Sequence, residues 1–145
     1  MTIDQNAPVI TRDQQLIRAS LQTVWHIFTN VPKWTQWNKD INQASLDGPL
    51  TVGSAVHWTT AGMNIVSTIG ELIPQQRIVW SGVTQGIMGV HHWQFMAVEE
   101  GTLVQTEESW AGDPVDKQIG PMQQNLDQSL RRWLESLQQE AEQLA

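Results

Sequence analysis

Two side chains of this 145-residue sequence, His91 and Glu108, have the residue types that acid–base chemistry needs. They fall on two predicted strands that follow each other in the chain, so a tight turn at Glu100 and Gly101 would make those strands antiparallel neighbours. A carboxylate beside an imidazole raises the proton affinity of the ring and orients one of its nitrogens, as a general base requires. We therefore predict His91 and Glu108 as candidate catalytic residues. The alternative is that they form a polar patch in the wall of a binding cavity.

The length of the turn decides which histidine shares a face with Glu108. A two-residue turn sets Trp93 opposite Glu108 and His91 opposite Trp110, all on one face. A three-residue turn would pair His92 with Glu108 instead. The bulky aromatic residues of this strand lie on the face that His91 shares, so we expect His91 to point inward.

Other kinds of chemistry find no suitable residues. The sequence has no cysteine, which excludes disulfides, thiolate nucleophiles and Cys-based zinc or iron–sulfur sites. His91 and His92 point to opposite faces of a strand, and no His-x-His or Glu-x-x-His spacing occurs, so we predict no metal site. No Gly-x-Gly-x-x-Gly or phosphate-loop pattern follows a strand, so we expect no nucleotide and no other cofactor.

The composition limits the partners of the protein. Eight Lys and Arg stand against 15 Asp and Glu, a net charge of -7, and the basic residues are scattered, so we expect no binding of nucleic acid. No stretch approaches the ~20 apolar residues of a membrane span, and residues 1–8 lack the basic start and apolar run of a secretory signal. We therefore expect a cytoplasmic protein without stable membrane insertion. The length fits one domain over residues 1–145.

Hydrophobic periodicity predicts a strand, two helices, six strands and a long final helix. Ser20 is a suitable N-cap for the first helix, because Leu21, Val24 and Phe28 behind it repeat with helical spacing. This helix ends near Asn30. From residue 41 the pattern has a period of two, which indicates strands separated by tight turns. The strands are predicted at Val9–Arg18, Ile41–Leu46, Ser54–Thr60, Met63–Ile73, Arg77–Val83, Val90–Val98 and Thr102–Trp110, the second helix at Pro32–Trp37, and the last helix from Pro121 to Leu144. We expect Gln123 on the exposed face of this last helix and one buried apolar stripe, made up of Met122, Leu126, Leu130, Trp133, Leu137 and Leu144.

This order predicts an α+β fold in which a curved antiparallel sheet of about seven strands wraps around the C-terminal helix. Residues two apart on a strand share a face, and we expect the more apolar face to point inward. Trp25 and Trp133 are expected in the core, whereas Trp34 and Trp37 could equally line an entrance. The inward faces predict a ligand cavity lined by Val56, Trp58, Met63, Trp80, His91, Trp93, Phe95, Thr106, Glu108, Trp110, Leu126 and Leu130.

Several stretches spread over the chain carry a family resemblance, namely Val24–Trp25 with Phe28, Trp34–Asn38, Val52–Ser54 with Val56 and Trp58, Ile78–Gly82, Gly89–Phe95, Gly101–Val104, Glu107–Ser109 and Ser129–Leu134. Together they resemble the START-like superfamily with the helix-grip fold, and within it the polyketide cyclase/dehydrase-like branch. The resemblance extends from about residue 9 to the end of the chain. It implies the fold and an apolar ligand, but the superfamily includes carriers, cyclases and co-chaperones, so it does not select an activity.

Three hypotheses of function follow from the resemblance and the predicted cavity. The first is a binding module for a small hydrophobic or polycyclic, lipid- or polyketide-like ligand, oriented by His91, Thr106 and Glu108. The second is a cofactor-independent cyclase or dehydratase in which His91 or Glu108 removes a proton next to a ligand carbonyl. The third is a co-chaperone-like interaction protein whose core is filled by its own side chains. An exposed sheet edge would also allow a homodimer.

Overall fold

A computed structural model describes residues 1–144 of the chain. Its elements are β1 (Val9–Ile17), α1 (Leu21–Thr29), α2 (Trp34–Trp37), β2 (Ile41–Leu46), β3 (Ala55–Thr60), β4 (Met63–Ile73), β5 (Arg77–Thr84), β6 (Ile87–Val98), β7 (Gly101–Ala111), α3 (Asp113–Asp116) and α4 (Ile119–Gln143). The types and order of the elements agree with the prediction, except that the short helix α3 was not predicted.

The seven strands form one antiparallel sheet in the order β1-β7-β6-β5-β4-β3-β2. Strands β2 to β7 thus form a meander, and β1 pairs with β7 along its whole length. Irregularities in β2 after Ile41 and in β4 after Ile69 shift the pairing, which is how sheets acquire local bends and additional twist. Helix α4 packs along β1 and across the inner face. The predicted fold class, a curved sheet around a long C-terminal helix, is confirmed.

The helices begin close to the predicted positions. Ser20 accepts a hydrogen bond from the Thr23 backbone N–H at 3.1 Å and caps α1 as predicted. A 3₁₀ turn at Val31–Lys33 leads directly into α2. Helix α4 begins at Ile119 rather than at Pro121, because a proline is tolerated throughout the first turn, where backbone N–H groups have no helical partner.

One apolar stripe of α4 is buried under the sheet, made up of Leu126, Leu130, Trp133, Leu134, Leu137 and Ala141. Leu144 follows the last helical residue and is 63% exposed, so its predicted place in the buried stripe is wrong. Within the described part of the chain, no helix is both long enough and apolar enough to cross a membrane.

Aromatic rings fill the middle of the space between the sheet and α4. The ring centroid of Trp133 lies 5.5 Å from that of Trp93 and 5.2 Å from that of Trp34. Phe28 of α1 approaches Trp93 to 4.6 Å. Trp34 and Trp37, which the sequence left between core and entrance, are only 1% and 8% exposed and belong to the core. We call the packed rings of Phe28, Trp34, Trp37, Trp93 and Trp133 the ring core. Contacts between aromatic rings stabilise a protein beyond the apolar area that they bury.

The turn between β6 and β7 differs from its prediction. Val98 pairs with Gly101, so the two turn residues are Glu99 and Glu100 rather than Glu100 and Gly101. Gly101 begins β7 with a φ of 146°, and a Cβ at this position would collide with the Ile17 carbonyl oxygen. The glycine is therefore needed for a close approach of two backbones rather than for the turn. Because the register shifts by two residues, every side chain keeps its predicted face.

The N-terminal segment crosses the outer face of the sheet, the face away from α4. The Asp4 backbone N–H donates to the Ser109 hydroxyl at 2.9 Å, and the Met1 ammonium lies 2.8 Å from the Glu71 carboxylate. Ile3 and Val79 are buried on this side, outside the main core. The segment therefore covers part of the outer face and holds β4 and β7 from the same side.

Candidate functional site

The inner face of the sheet stays partly open at the end where α4 begins, and we call this end the mouth. The hairpin turns at residues 61–62 and 85–86 border it, since Thr60 pairs with Met63 and Thr84 with Ile87. Six apolar side chains from five elements lie on inner positions there and remain partly exposed, namely Trp58, Met63, Ile65, Ile87, Trp110 and Met122. The mouth is thus a region where apolar inner surface reaches solvent.

The twelve residues predicted to line a cavity divide between the buried interior and the mouth. Eight are buried, namely Val56, Trp80, His91, Trp93, Phe95, Thr106, Leu126 and Leu130. The remaining four are partly exposed and lie at the mouth, namely Trp58, Met63, Glu108 and Trp110. All twelve occupy inner positions. The six apolar members of the buried set, however, belong to the packed core.

His91 and Glu108 lie directly opposite each other on β6 and β7. They are closer than in the predicted register, which set His91 opposite Trp110. Nδ1 of His91 is 3.1 Å from Oε1 of Glu108. The His91 side chain is 3% exposed, and its ring lies 5.1 Å from Trp80 and 4.9 Å from Trp93 between centroids. Glu108 keeps 16% of its side chain exposed. Of the two side chains, only that of Glu108 therefore has appreciable contact with solvent at the mouth.

Both groups have further polar partners. Nε2 of His91 lies 2.9 Å from the Thr106 hydroxyl, which itself donates to the His92 carbonyl at 3.0 Å. On the other side, the indole N–H of Trp110 donates to Oε2 of Glu108 at 2.9 Å. A chain of polar contacts thus runs from Trp110 at the mouth to the backbone of β6.

Burial changes the proton affinity of the two groups in opposite ways. Loss of solvent, together with the smaller effect of the neighbouring His92, lowers the pKa of His91 to about 3. Loss of solvent raises the pKa of Glu108 to about 7, although the hydrogen bond from Trp110 acts in the other direction. Since His91 is enclosed by the core, an acid–base step on a ligand would have to pass through the Glu108 carboxyl.

Helix α4 is joined to β1 beside the mouth by a group of polar contacts that we call the seam. The Gln123 side chain accepts from the Ile10 N–H at 3.3 Å and donates to the Ile10 carbonyl at 2.9 Å. Because β1 is an edge strand, this amide takes the place of a neighbouring peptide group. Thr11, which pairs with Glu108 in the sheet, donates to Asp127 of α4 at 2.6 Å.

Sequence reasoning missed several residues of this region. Ile87 lay outside the predicted strands, because the strand that contains it was expected to begin only at Val90. In the structure Gly89 continues the strand. Met122 lay on the predicted apolar stripe of the last helix and could have been named from it. Gln123 was expected on the exposed face of the helix, since no sequence signal marks a side-chain amide that will meet an edge strand.

Known structures share this architecture. A START superfamily protein from Mycobacterium smegmatis aligns with a TM-score of 0.80 over 94% of this chain and 99% of its own, at 16% identity. A hypothetical protein from Helicobacter pylori aligns with a TM-score of 0.83 over 96% of this chain and 91% of its own, at 14% identity. The di-domain ARO/CYC StfQ of the steffimycin biosynthetic pathway aligns with a TM-score of 0.76 over 93% of this chain and 51% of its own, at 13% identity. At such identities the likeness shows the fold alone.

The sheet, the long helix and the inner face between them define a START-like domain with the helix-grip fold. Residues 9–145 match the model of the family described as "Polyketide cyclase / dehydrase and lipid transport", and the chain belongs to that family. No curated protein matches the sequence. The resemblance inferred from the sequence is therefore confirmed. The family description covers both enzymes and carriers, so function has to be argued from the site.

Proposed function

We propose that the protein binds a small hydrophobic or aromatic molecule at the mouth, between the start of α4 and the turns of the β3–β4 and β5–β6 hairpins. The observation that carries this proposal is the group of six inner apolar side chains that remain partly exposed there. The carboxyl of Glu108 lies among them as a polar group. Apolar side chains with a few polar groups among them are the usual lining of a small-molecule site.

The ring core limits how deeply such a ligand would enter. Trp58 stands at the boundary, with its ring centroid 6.0 Å from that of Trp133 and 6.1 Å from that of Trp34. A flat ligand of one or two fused rings would pack on the partly exposed side chains of the mouth, such as Trp58 or Trp110, without displacing the ring core. A larger ligand would need Trp133 to move.

One buried donor is available to a ligand that enters more deeply. The indole N–H of Trp93 has no hydrogen-bond partner among residues 1–144. A buried polar group without a partner costs roughly 1–3 kcal/mol, and part of this cost would be recovered by a ligand carbonyl that accepts from it. Because Trp93 is fully buried, this donor would favour an oxygen only at the inner end of a ligand that displaces part of the ring core.

A neutral apolar dye such as N-phenyl-1-naphthylamine, whose emission increases in apolar surroundings, provides the test. We expect a saturable increase in emission with about one dye per chain. Ile87→Ser should weaken binding about tenfold, because a buried large aliphatic side chain contributes ~1.5 kcal/mol or more. Val83→Ser is the matched control, since Val83 lies on the same hairpin but is 65% exposed on the outer face.

Two results would contradict the mouth as the site: emission that does not saturate, or equal loss of binding in the two serine variants. Native mass spectrometry of the purified protein, with a solvent extract of the same sample, adds an independent measurement. A passenger molecule that the Ile87→Ser variant no longer retains, but Val83→Ser does, would support the proposal.

The ring core itself favours a second candidate, an interaction protein with a filled core. Val83 and Met88 pair on the outer face with 65% and 45% of their surface exposed, which provides apolar surface for a partner. This candidate predicts that the chain carries no passenger and binds no dye. The same dye titration therefore distinguishes the two functions.

A further inference from the structure

The hydrogen bonds around Thr106 determine where the ring proton of His91 lies. Thr106 has one hydroxyl hydrogen and donates it to the His92 carbonyl at 3.0 Å. Its oxygen can therefore only accept from Nε2 of His91, 2.9 Å away, so Nε2 carries a hydrogen. In a neutral imidazole the other nitrogen, Nδ1, then has none.

Oε1 of Glu108 lies 3.1 Å from this Nδ1. Two atoms that can only accept do not lie so close together unless a proton lies between them. The pair is therefore either an imidazolium facing a carboxylate or a neutral imidazole facing a carboxylic acid. The His91 ring is 3% exposed, and burial of two charges costs several kcal/mol per ion, so the neutral arrangement is the more stable one. The lowered pKa of His91 and the raised pKa of Glu108 agree with it.

Among the described residues, no lysine or arginine of the neighbouring elements forms an ion pair with Glu108. On the inner side, Asp127 of α4 lies across Thr11 of β1 and is itself an acid. Arg12 and His92 lie on the outer face of the sheet and so point away from Glu108. Arg12 there pairs with Glu107 at 2.9 Å, and His92 is half-buried. In the described part of the chain, the one basic side chain in contact with the Glu108 carboxyl is thus His91.

We propose that Glu108 is an uncharged anchor of the mouth, which accepts a hydrogen bond from a ligand hydroxyl or N–H at Oε2 and selects neutral ligands over carboxylates. This proposal rests on the mouth as the ligand site. Oε2 accepts from the Trp110 indole at 2.9 Å and has a second lone pair, and the side chain is 16% exposed. A ligand carboxylate would meet acceptor lone pairs at this point without a donor or a cation to neutralise it. The favoured ligand is therefore a neutral aromatic compound of one or two fused rings with a hydroxyl or N–H group at its leading edge.

Three ligands of nearly equal size, naphthalene, 2-naphthol and 2-naphthoate, test the proposal at pH 6 by quenching of tryptophan fluorescence. We expect 2-naphthol to bind about fivefold to tenfold more tightly than naphthalene, the effect of one hydrogen bond. The carboxylate should bind at least tenfold more weakly than 2-naphthol. Glu108→Leu should remove the preference for 2-naphthol over naphthalene. Glu108→Gln should keep it, because its amide can donate to Nδ1 and still present an oxygen to Trp110 and the ligand.

The outcomes separate this proposal from the one on which it rests. Binding of naphthalene and 2-naphthol with equal affinity, or a preference that survives in Glu108→Leu, overturns the anchor alone, whereas no binding of either overturns the mouth as well. Tight binding of 2-naphthoate also overturns the anchor. Infrared difference spectra between the wild type and Glu108→Gln at pH 6 give a readout without ligand. They should contain the carbonyl band of a protonated carboxylic acid, and a carboxylate signature instead would contradict the proposal.

Discussion

For His91 and Glu108, folding exchanges the protonation states of two side chains. At pH 5.5 an exposed histidine is charged and an exposed glutamate is ionised. In the folded chain burial lowers the pKa of His91 to about 3 and raises that of Glu108 to about 7, so both groups become neutral. Folding therefore transfers one proton from the imidazole to the carboxyl, without net uptake or release.

The wild-type pair should contribute no pH dependence to stability between about pH 4.5 and 6.5, the ordinary pKa values of the two groups. In this range the unfolded state holds one proton on His91 and the folded state holds one on Glu108. Since the number of bound protons is equal in both states, the free energy of unfolding has no slope from this pair. Urea unfolding at a series of pH values measures it.

Single substitutions should reveal two opposite slopes. Glu108→Gln leaves only His91, which binds its proton in the unfolded state, so the free energy of unfolding should rise with pH between about 3 and 6.5. His91→Phe leaves only Glu108, which holds its proton in the folded state. Its free energy of unfolding should fall by about 3 kcal/mol between pH 4.5 and 7. Slopes of the same sign in both variants would contradict a neutral pair.

At the scale of the elements, loss of the seam between α4 and β1 should loosen the structure locally. Gln123→Ala leaves the Ile10 N–H and carbonyl without their side-chain partner, so we expect a loss of about 1 kcal/mol in unfolding free energy. The amide hydrogen of Ile10 should exchange faster, and an apolar dye should enter faster. Gln124→Ala, one residue along the helix on an exposed position, is the control. Unchanged exchange at Ile10 would show that the seam does not hold the helix.

Strand alternation predicted the inner faces of the strands correctly, because a period of two is a local property of the chain. The position of a turn depends less on the local sequence. Glu99 and Glu100 carry no turn signature, and Gly101 serves the close approach to Ile17 from another strand. The start of β6 was missed for a similar reason, since Gly89 lies under the Trp110 indole within a regular strand. Glycines required by distant contacts therefore resemble glycines of turns when only the sequence is read.

At the scale of the whole molecule, the ring core decides how much space the fold leaves inside. The sequence predicted tryptophans on inner positions, which the structure has. Whether such rings line a cavity or fill it depends on the summed volume of side chains from α1, α2, the sheet and α4. That sum is fixed only when all elements are in place. The inner orientation of Trp80 and Trp93 was therefore predictable, whereas their close contact with Trp133 was not.

Trp133 should be the tryptophan whose loss costs the most. Its ring contacts tryptophans of α2, β3, β5 and β6, so Trp133→Ala should lower the free energy of unfolding by about 3–5 kcal/mol. Trp25→Ala should cost less, about 1–2 kcal/mol, because Trp25 is partly exposed and its aromatic contact is with Phe95. Urea unfolding measures both. Equal losses would mean that the ring core is not the centre of stability.

The Gln123 amide has a further consequence for the behaviour of the protein in crowded solution. Any movement of α4 that widens the mouth and breaks this contact also leaves the Ile10 N–H and carbonyl of an edge strand unpaired. Unpaired groups on a sheet edge pair readily with a strand of another molecule. Entry of the proposed ligand and self-association would thus be coupled through one side chain. A chain held open longer, for instance by a bulky ligand, would expose an unpaired strand edge for the same length of time.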